Sequence, residues 1–225
     1  MSAVFKERLA AVRSRIESAC AQAGRSPDDV SLLAVSKAHS TDAIRDAYAS
    51  GLRVFGENYA QELAAKAEAL LDLEHVRWRF IGHLQRNKIK FVERAGASID
   101  TVDSVRLAEA ISTRAAKTDR AVELLVQVNV GREPQKSGCL PEDLPALVDA
   151  VRALPNIDLR GLMTVAPHFE DPMDTRPTFA TLRNLAETHG LAELSMGMTH
   201  DLEPAILEGA TMVRVGTALF GPRPT

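Results

Sequence analysis

Eight short apolar runs, each separated from the next by a stretch able to form a helix, constrain the fold of this chain more than any other feature. The runs are Ser31–Val35, Arg53–Phe55, Arg77–Ile81, Ser98–Val102, Val122–Val130, Asp158–Met163, Glu193–Met196 and Met212–Val215. Their length and bounding turn residues predict strands. Between the first two, Thr41 can cap a helix that carries Ala43, Ile44, Ala47 and Tyr48 and is stopped by Gly51. Ser104 can cap another that carries Leu107, Ile111 and Ala115. Asp174 or Thr175 opens a third, with Phe179, Leu182 and Leu185 on one side. Strict alternation implies parallel strands joined by right-handed crossovers. Eight units are the number that closes an α/β fold into a (β/α)₈ TIM barrel, the fold class predicted here. An open doubly wound sheet shares the same periodicity. Ahead of the first strand, Phe5, Leu9, Val12, Ile16 and Ala19 predict an extra N-terminal helix ended by Gly24. No Pro/Gly/Ser-rich linker interrupts the chain, so residues 1–225 are expected to form a single domain.

Composition narrows the function classes. A formal net charge of −3 and an aromatic content of 4% argue against nucleic acid and anionic membranes as partners. The local basic cluster Arg77, Arg79, Arg86, Lys88, Lys90 and Arg94 reads as a solvated amphipathic face, because Ile89, Phe91 and Val92 interleave it. Cys20 and Cys139 lie far apart and lack metal-ligand spacing, which fits a reducing compartment. Cys20 continues the apolar stripe of the first helix and is expected in the core. Residues Met1 to Arg8 contain no signal-peptide apolar region, and no long uninterrupted apolar run follows. A cytoplasmic location is therefore expected.

Loops after the carboxyl ends of barrel strands line the active-site mouth. Lys37 closes the apolar run Leu32-Leu33-Ala34-Val35. Core on one side favours the neutral, nucleophilic amine that carbonyl condensation requires. A lysine that merely reaches solvent at a strand end fits the same position. At the last two strands, Ser195-Met196-Gly197-Met198-Thr199 and Arg214-Val215-Gly216-Thr217 place glycines and hydroxyls where barrels build phosphate sites. Two tight turns that use glycine for geometry are the alternative. Amine and cradle on one rim suggest a phosphorylated carbonyl ligand. His83 reads equally as a site residue or a structural histidine, whereas His75, His168 and His189 read as surface or loop residues.

At these residues the chain resembles the pyridoxal 5′-phosphate (PLP) homeostasis proteins, a family of alanine-racemase-like barrels of the fold-type III PLP class. The matching stretches include Ala34-Val35-Ser36-Lys37, Phe55-Gly56-Glu57-Asn58-Tyr59-Ala60-Gln61-Glu62 and Phe80-Ile81-Gly82-His83-Leu84-Gln85-Arg86-Asn87-Lys88. Gln135-Lys136-Ser137-Gly138, Gly161-Leu162-Met163-Thr164 and the run from Leu194 to Gly221 continue the likeness. The resemblance implies PLP as cofactor, held as a Schiff base on Lys37. It matches Ser195, Gly197, Gly216 and Thr217 to the phosphate-binding positions, Arg214 to the arginine facing the pyridine nitrogen, and Asn58 to a residue lining the cofactor. Thr199 departs from the usual serine but keeps the hydroxyl. The stretch Thr164 to His168 differs from the commoner forms and is given no role.

Two functions fit such a barrel. One is a carrier that buffers PLP and delivers it to apo PLP-dependent enzymes. The other is an amino-acid racemase or lyase. Racemisation needs acid/base groups on both faces of the α-carbon, and related racemases take the second from an additional domain across a dimer. This chain ends four residues after Gly221, so that domain is expected to be absent and the protein monomeric. Tyr48 is expected in packing, and Tyr59 is the remaining tyrosine near the mouth. The carrier reading is favoured. A phosphate-binding isomerase that uses Lys37 as acid/base keeps the fold, but the order of strand-end motifs argues against it.

Overall fold

The computed structural model describes residues 3–118 and 120–222. Met1 and Ser2 of the amino-terminal segment read above lie outside the described residues, as do residues 119 and 223–225. The strands are β1 (Ser31–Val35), β2 (Val54–Glu57), β3 (Arg77–Phe80), β4 (Ser98–Val102), β5 (Val122–Gln127), β6 (Ile157–Met163), β7 (Glu193–Met198) and β8 (Met212–Val215). They close into a barrel in sequence order, and β8 pairs parallel with β1. The helices are α1 (Ala3–Ala23), α2 (Thr41–Ala49), α3 (Ala60–Ala69), α4 (Ile89–Arg94), α5 (Val105–Ala115), α6 (Leu144–Arg152), α7 (Arg176–Thr188), α8 (Leu202–Leu207) and α9 (Thr217–Phe220). The extra N-terminal helix is α1. Its stripe Phe5, Leu9, Val12, Ile16, Ala19 and Cys20 is buried.

Strand alternation divides the apolar residues between two cores. Ala34, Phe55, Phe80, Ile99, Leu124, Leu162 and Val213 belong to the large cluster beneath the helices. Leu33, Val54 and Met212 form a separate small cluster with Ile81 inside the barrel. Polar groups share the interior. Arg79 donates from Nε to both oxygens of Asp100 at 2.9 and 3.0 Å, and from NH2 to Glu193 at 3.2 Å. Burial pushes the Asp100 carboxyl up, and the adjacent guanidinium pulls it back. The basic cluster predicted as one solvated face is thus divided. Arg79 is buried on the inward side of β3, while Arg77, Arg86, Lys90 and Arg94 are exposed and Ile89 and Val92 are buried.

Several boundaries shift for local reasons. Ser40, not Thr41, caps α2, because Ser40 is extended and its hydroxyl accepts the Ala43 N–H at 3.3 Å. Strand β5 ends at Gln127 instead of Val130. Beyond it the following loop folds back, with Asn129 N–H donating to the Cys139 carbonyl at 2.8 Å and Cys139 N–H to the Gln127 carbonyl at 2.9 Å. Ser104 precedes α5 without a side-chain cap bond, and Thr175 precedes α7.

Candidate functional site

The carboxyl ends of β8, β1 and β2 bring three of the predicted residues together. Leu33 of β1 is in register with Arg214 of β8, and Val35 with Gly56 of β2. Leu33 and Val35 share one strand parity, as do Val54 and Gly56, and Gly56 faces Leu33 and Ile81 inside the barrel. Lys37 lies in the turn two residues beyond β1, between β8, which carries Arg214, and β2, which Asn58 follows. Lys37 and Asn58 are half-buried; Arg214 and Ser195 are buried.

Arg214 is held by three neutral oxygens. Its NH1 donates to the Ser195 carbonyl at 2.7 Å and hydroxyl at 3.0 Å, and its NH2 donates to the Thr164 carbonyl at 2.8 Å. Burial lowers its pKa, and Asp100 and Asp201 act in the opposite direction. A guanidinium remains charged through such perturbation, so the inner wall carries a fixed cation.

Beyond Ser195, Gly197 takes φ +88°, and a Cβ there would stand 2.5 Å from the Cβ of Ala205. Only glycine suits that backbone, so its geometric role is real. Asp201 accepts the N–H of Met198 at 2.7 Å and shapes the turn. After β8, Gly216 is the N-cap of α9, and its carbonyl accepts from Leu219 and Phe220 at 2.9 Å each. The first N–H groups of that turn, including exposed Thr217, precede the hydrogen-bonded ladder. A short extra helix after strand eight is the element with which barrels hold phosphate.

On the opposite side of the mouth, a cavity of about 170 Å³ is lined by Asn58, Gly82, His83, Asn129, Lys136, Ser137 and their neighbours. The Asn58 Oδ1 is buried without a partner. Gly82 allows close approach here, since a Cβ would lie 2.0 Å from the Asn58 carbonyl oxygen. His83 is exposed, with Nδ1 3.4 Å from the Ser137 hydroxyl. Of the seven predicted site residues, Asn58 alone lines this cavity. A larger cavity of about 770 Å³ lies at the amino ends of the strands. Arg79 and Arg160 both pair there with Glu193, and that face of a barrel serves stability.

Sequence reasoning missed the buried group behind Lys37. Lys66 on α3 donates to the Ser36 carbonyl, Glu57 and Glu62, each at 2.7 Å. Glu57 and Glu62 lie inside the motif Phe55 to Glu62, and Lys66 follows Glu62 by one helical turn; a buried lysine carries no periodic signal of its own. Chemically, the rim suits a small ligand with an anionic end and a carbonyl.

Fold and rim define an alanine-racemase-type (β/α)₈ barrel, and the alanine racemase N-terminal domain family matches residues 8–224. The chain is 45% identical to the pyridoxal phosphate homeostasis protein of Aquifex aeolicus, covering 96% of this chain and 97% of that one. It is 47% identical to the Pseudomonas aeruginosa protein of the same name, covering 96% and 95%. It belongs to the pyridoxal phosphate homeostasis protein family. PipY of Synechococcus elongatus, solved with PLP bound, superposes with a TM-score of 0.84 at 39% identity, covering 96% of this chain and 100% of PipY. Alanine racemase of Clostridium difficile shares the fold, with a TM-score of 0.69 at 16% identity over 94% of this chain and 56% of the racemase.

Proposed function

We propose that this chain is a PLP-binding protein of intracellular PLP homeostasis, a single barrel domain that holds the cofactor on Lys37 and buffers or delivers it. The observation that carries the reading is the adjacency of β8, β1 and β2, which sets Lys37 between Arg214 and Asn58. The residues fit the cofactor by chemistry. Ser195, Gly197, Gly216 and Thr217 would hold the phosphate end with hydroxyls and helix-start N–H groups. Arg214 would face the ring nitrogen, and the Asn58 Oδ1 is buried without a partner. When bound, PLP supplies an aldehyde that an amine can condense with and a ring that can withdraw electrons. Arg214 would oppose ring protonation and so weaken that withdrawal.

A carrier is favoured over a racemase or lyase by the state of the tyrosines. Tyr48 donates to the Glu74 carbonyl at 3.1 Å, and Arg53 lies 3.8 Å above its ring. Its hydroxyl is committed to structure, and Tyr59 is exposed. Apo PLP-dependent enzymes are the proposed recipients, the protein is proposed to act as a monomer, and its proposed location is the cytoplasm. Among the described residues, no helix is long and apolar enough to cross a membrane.

Borohydride reduction of PLP-loaded protein followed by peptide mapping tests the assignment. The adduct is expected on Lys37. An adduct on another residue, or none, overturns it. Handover of PLP to an apo-enzyme, with amino-acid turnover far below about 1 per second, is the outcome expected of a carrier. Light scattering reports the oligomeric state.

A further inference from the structure

The backbone on both sides of Lys37 is tied to one buried ammonium. All three N–H groups of Lys66 are used, reaching the Ser36 carbonyl, Glu57 Oε1 and Glu62 Oε1 at 2.7 Å each. Ser36 also donates its hydroxyl to Glu57 Oε1 at 2.7 Å. On the far side of Lys37, the Ala38 N–H donates to Glu62 Oε1 at 2.8 Å. Ala38 has φ 62°, a left-handed conformation that a residue with a Cβ keeps only where its surroundings impose it.

A buried ion pair is a weak device for stability, because desolvation offsets the attraction and an apolar residue of equal volume packs as well. What an apolar residue cannot do is hold a carbonyl before Lys37 and, through Glu62, an N–H after it. Resting on the reading of Lys37 as the PLP-binding amine, we propose that Lys66 is its positioning residue, with Glu62 as the arm that reaches Ala38. The clamp holds the turn in the one shape that presents the amine to the barrel mouth. During capture the Lys37 nitrogen forms a C=N bond to the aldehyde carbon. The aldehyde oxygen leaves as water with the two protons of the neutral amine. The rate of that step depends on the amine being held along its approach.

The test separates positioning from folding by using two ligands. PLP can bond to Lys37; pyridoxine 5′-phosphate has the same ring and phosphate but no aldehyde. Glu62 sits at the partly exposed end of the clamp, with 26% side-chain exposure, which makes it the mild place to cut. Glu62→Ala is expected to slow covalent capture about tenfold, the worth of one lost hydrogen bond to a charged group. Its affinity for pyridoxine 5′-phosphate should stay within about twofold of wild type, as for independent sites. Glu62→Gln keeps an oxygen for the Ala38 N–H and should restore most of the rate. Lys66→Met, where it folds, should show the same pattern more strongly; the Glu62 pair decides the matter in either case. Wild-type capture by Glu62→Ala, or a proportional loss of both ligands, overturns the proposal. Failure of the Lys37 assignment itself would appear elsewhere, as the absence of a Lys37 adduct in the wild-type protein.

Discussion

Arg214 grips Ser195 twice, through the carbonyl at 2.7 Å and the hydroxyl at 3.0 Å. The cation of β8 thereby fixes the β7 residue that opens the Gly197 turn, and its third bond reaches Thr164 just beyond β6. One side chain stitches three neighbouring segments of the rim while standing at the place proposed for the ring nitrogen.

Arg214→Glu changes both roles. Three oxygens would face a carboxylate instead of donors, and breaking a buried charged arrangement costs about 3 kcal/mol or more. A fall in melting temperature is expected. In the protein that remains folded, a carboxylate favours ring protonation, so transamination with added amino acids should rise above wild type. Absorbance spectra across pH and keto-acid formation check this; an unchanged rate would count against the placement of Arg214 at the ring.

Lys37→Ala removes the amine and leaves the phosphate-end residues in place. The variant should yield no borohydride-stable adduct yet retain measurable affinity for PLP and for pyridoxine 5′-phosphate. Isothermal titration reads both. Equal PLP affinity in variant and wild type would mean that the covalent bond contributes nothing to retention.

Gly197→Ala places a Cβ 2.5 Å from Ala205 on a backbone at φ +88°. The substitution should destabilise the protein by about 2 kcal/mol or more. The displaced turn should also weaken PLP and inorganic phosphate binding together, which denaturant unfolding and competition titrations measure.

The cysteines give a pH prediction. Burial, with Asp143 and Asp103 nearby, pushes the Cys139 thiol up to about 12, and burial also raises Cys20. Thiolate is the reactive form, so at pH 8 roughly one Cys139 in 10⁴ carries it. Iodoacetamide should label neither cysteine in the native protein at pH 8 and both after denaturation. Rapid native labelling by mass spectrometry would contradict the burial described here.

The barrel was legible because its signal is repetitive. Ser31–Val35, Ser98–Val102 and Met212–Val215 match the predicted strands at both ends, since each apolar run stops where turn residues begin. The end of β5 was not legible. Val128 and Val130 extend the apolar run, but the ladder is lost to the returning segment at Cys139, a pairing ten residues and more away in sequence. Cap placement erred between Ser40 and Thr41 because both are good capping types and only the backbone angles distinguish them.

Lys37, Asn58, Ser195 and Arg214 were legible as candidates because each lies in an uncommon motif, Lys37 and Asn58 just beyond β1 and β2 and Ser195 and Arg214 within β7 and β8. Their order along the chain, together with a closed barrel, already implies one rim. Sequence alone therefore determined the alternation of strands and helices and the chemical inventory, because local periodicity and residue type are properties of short segments, whereas closure rests on the pairing of β8 with β1. Only the tertiary structure decided that Arg79 is spent on Asp100 inside the barrel, that Arg214 is held by neutral oxygens, and that Lys66 anchors the turn around Lys37. Those are choices of partner. Partners for buried charges come from strands and helices that meet only when the barrel closes, and desolvation then makes each pairing obligatory.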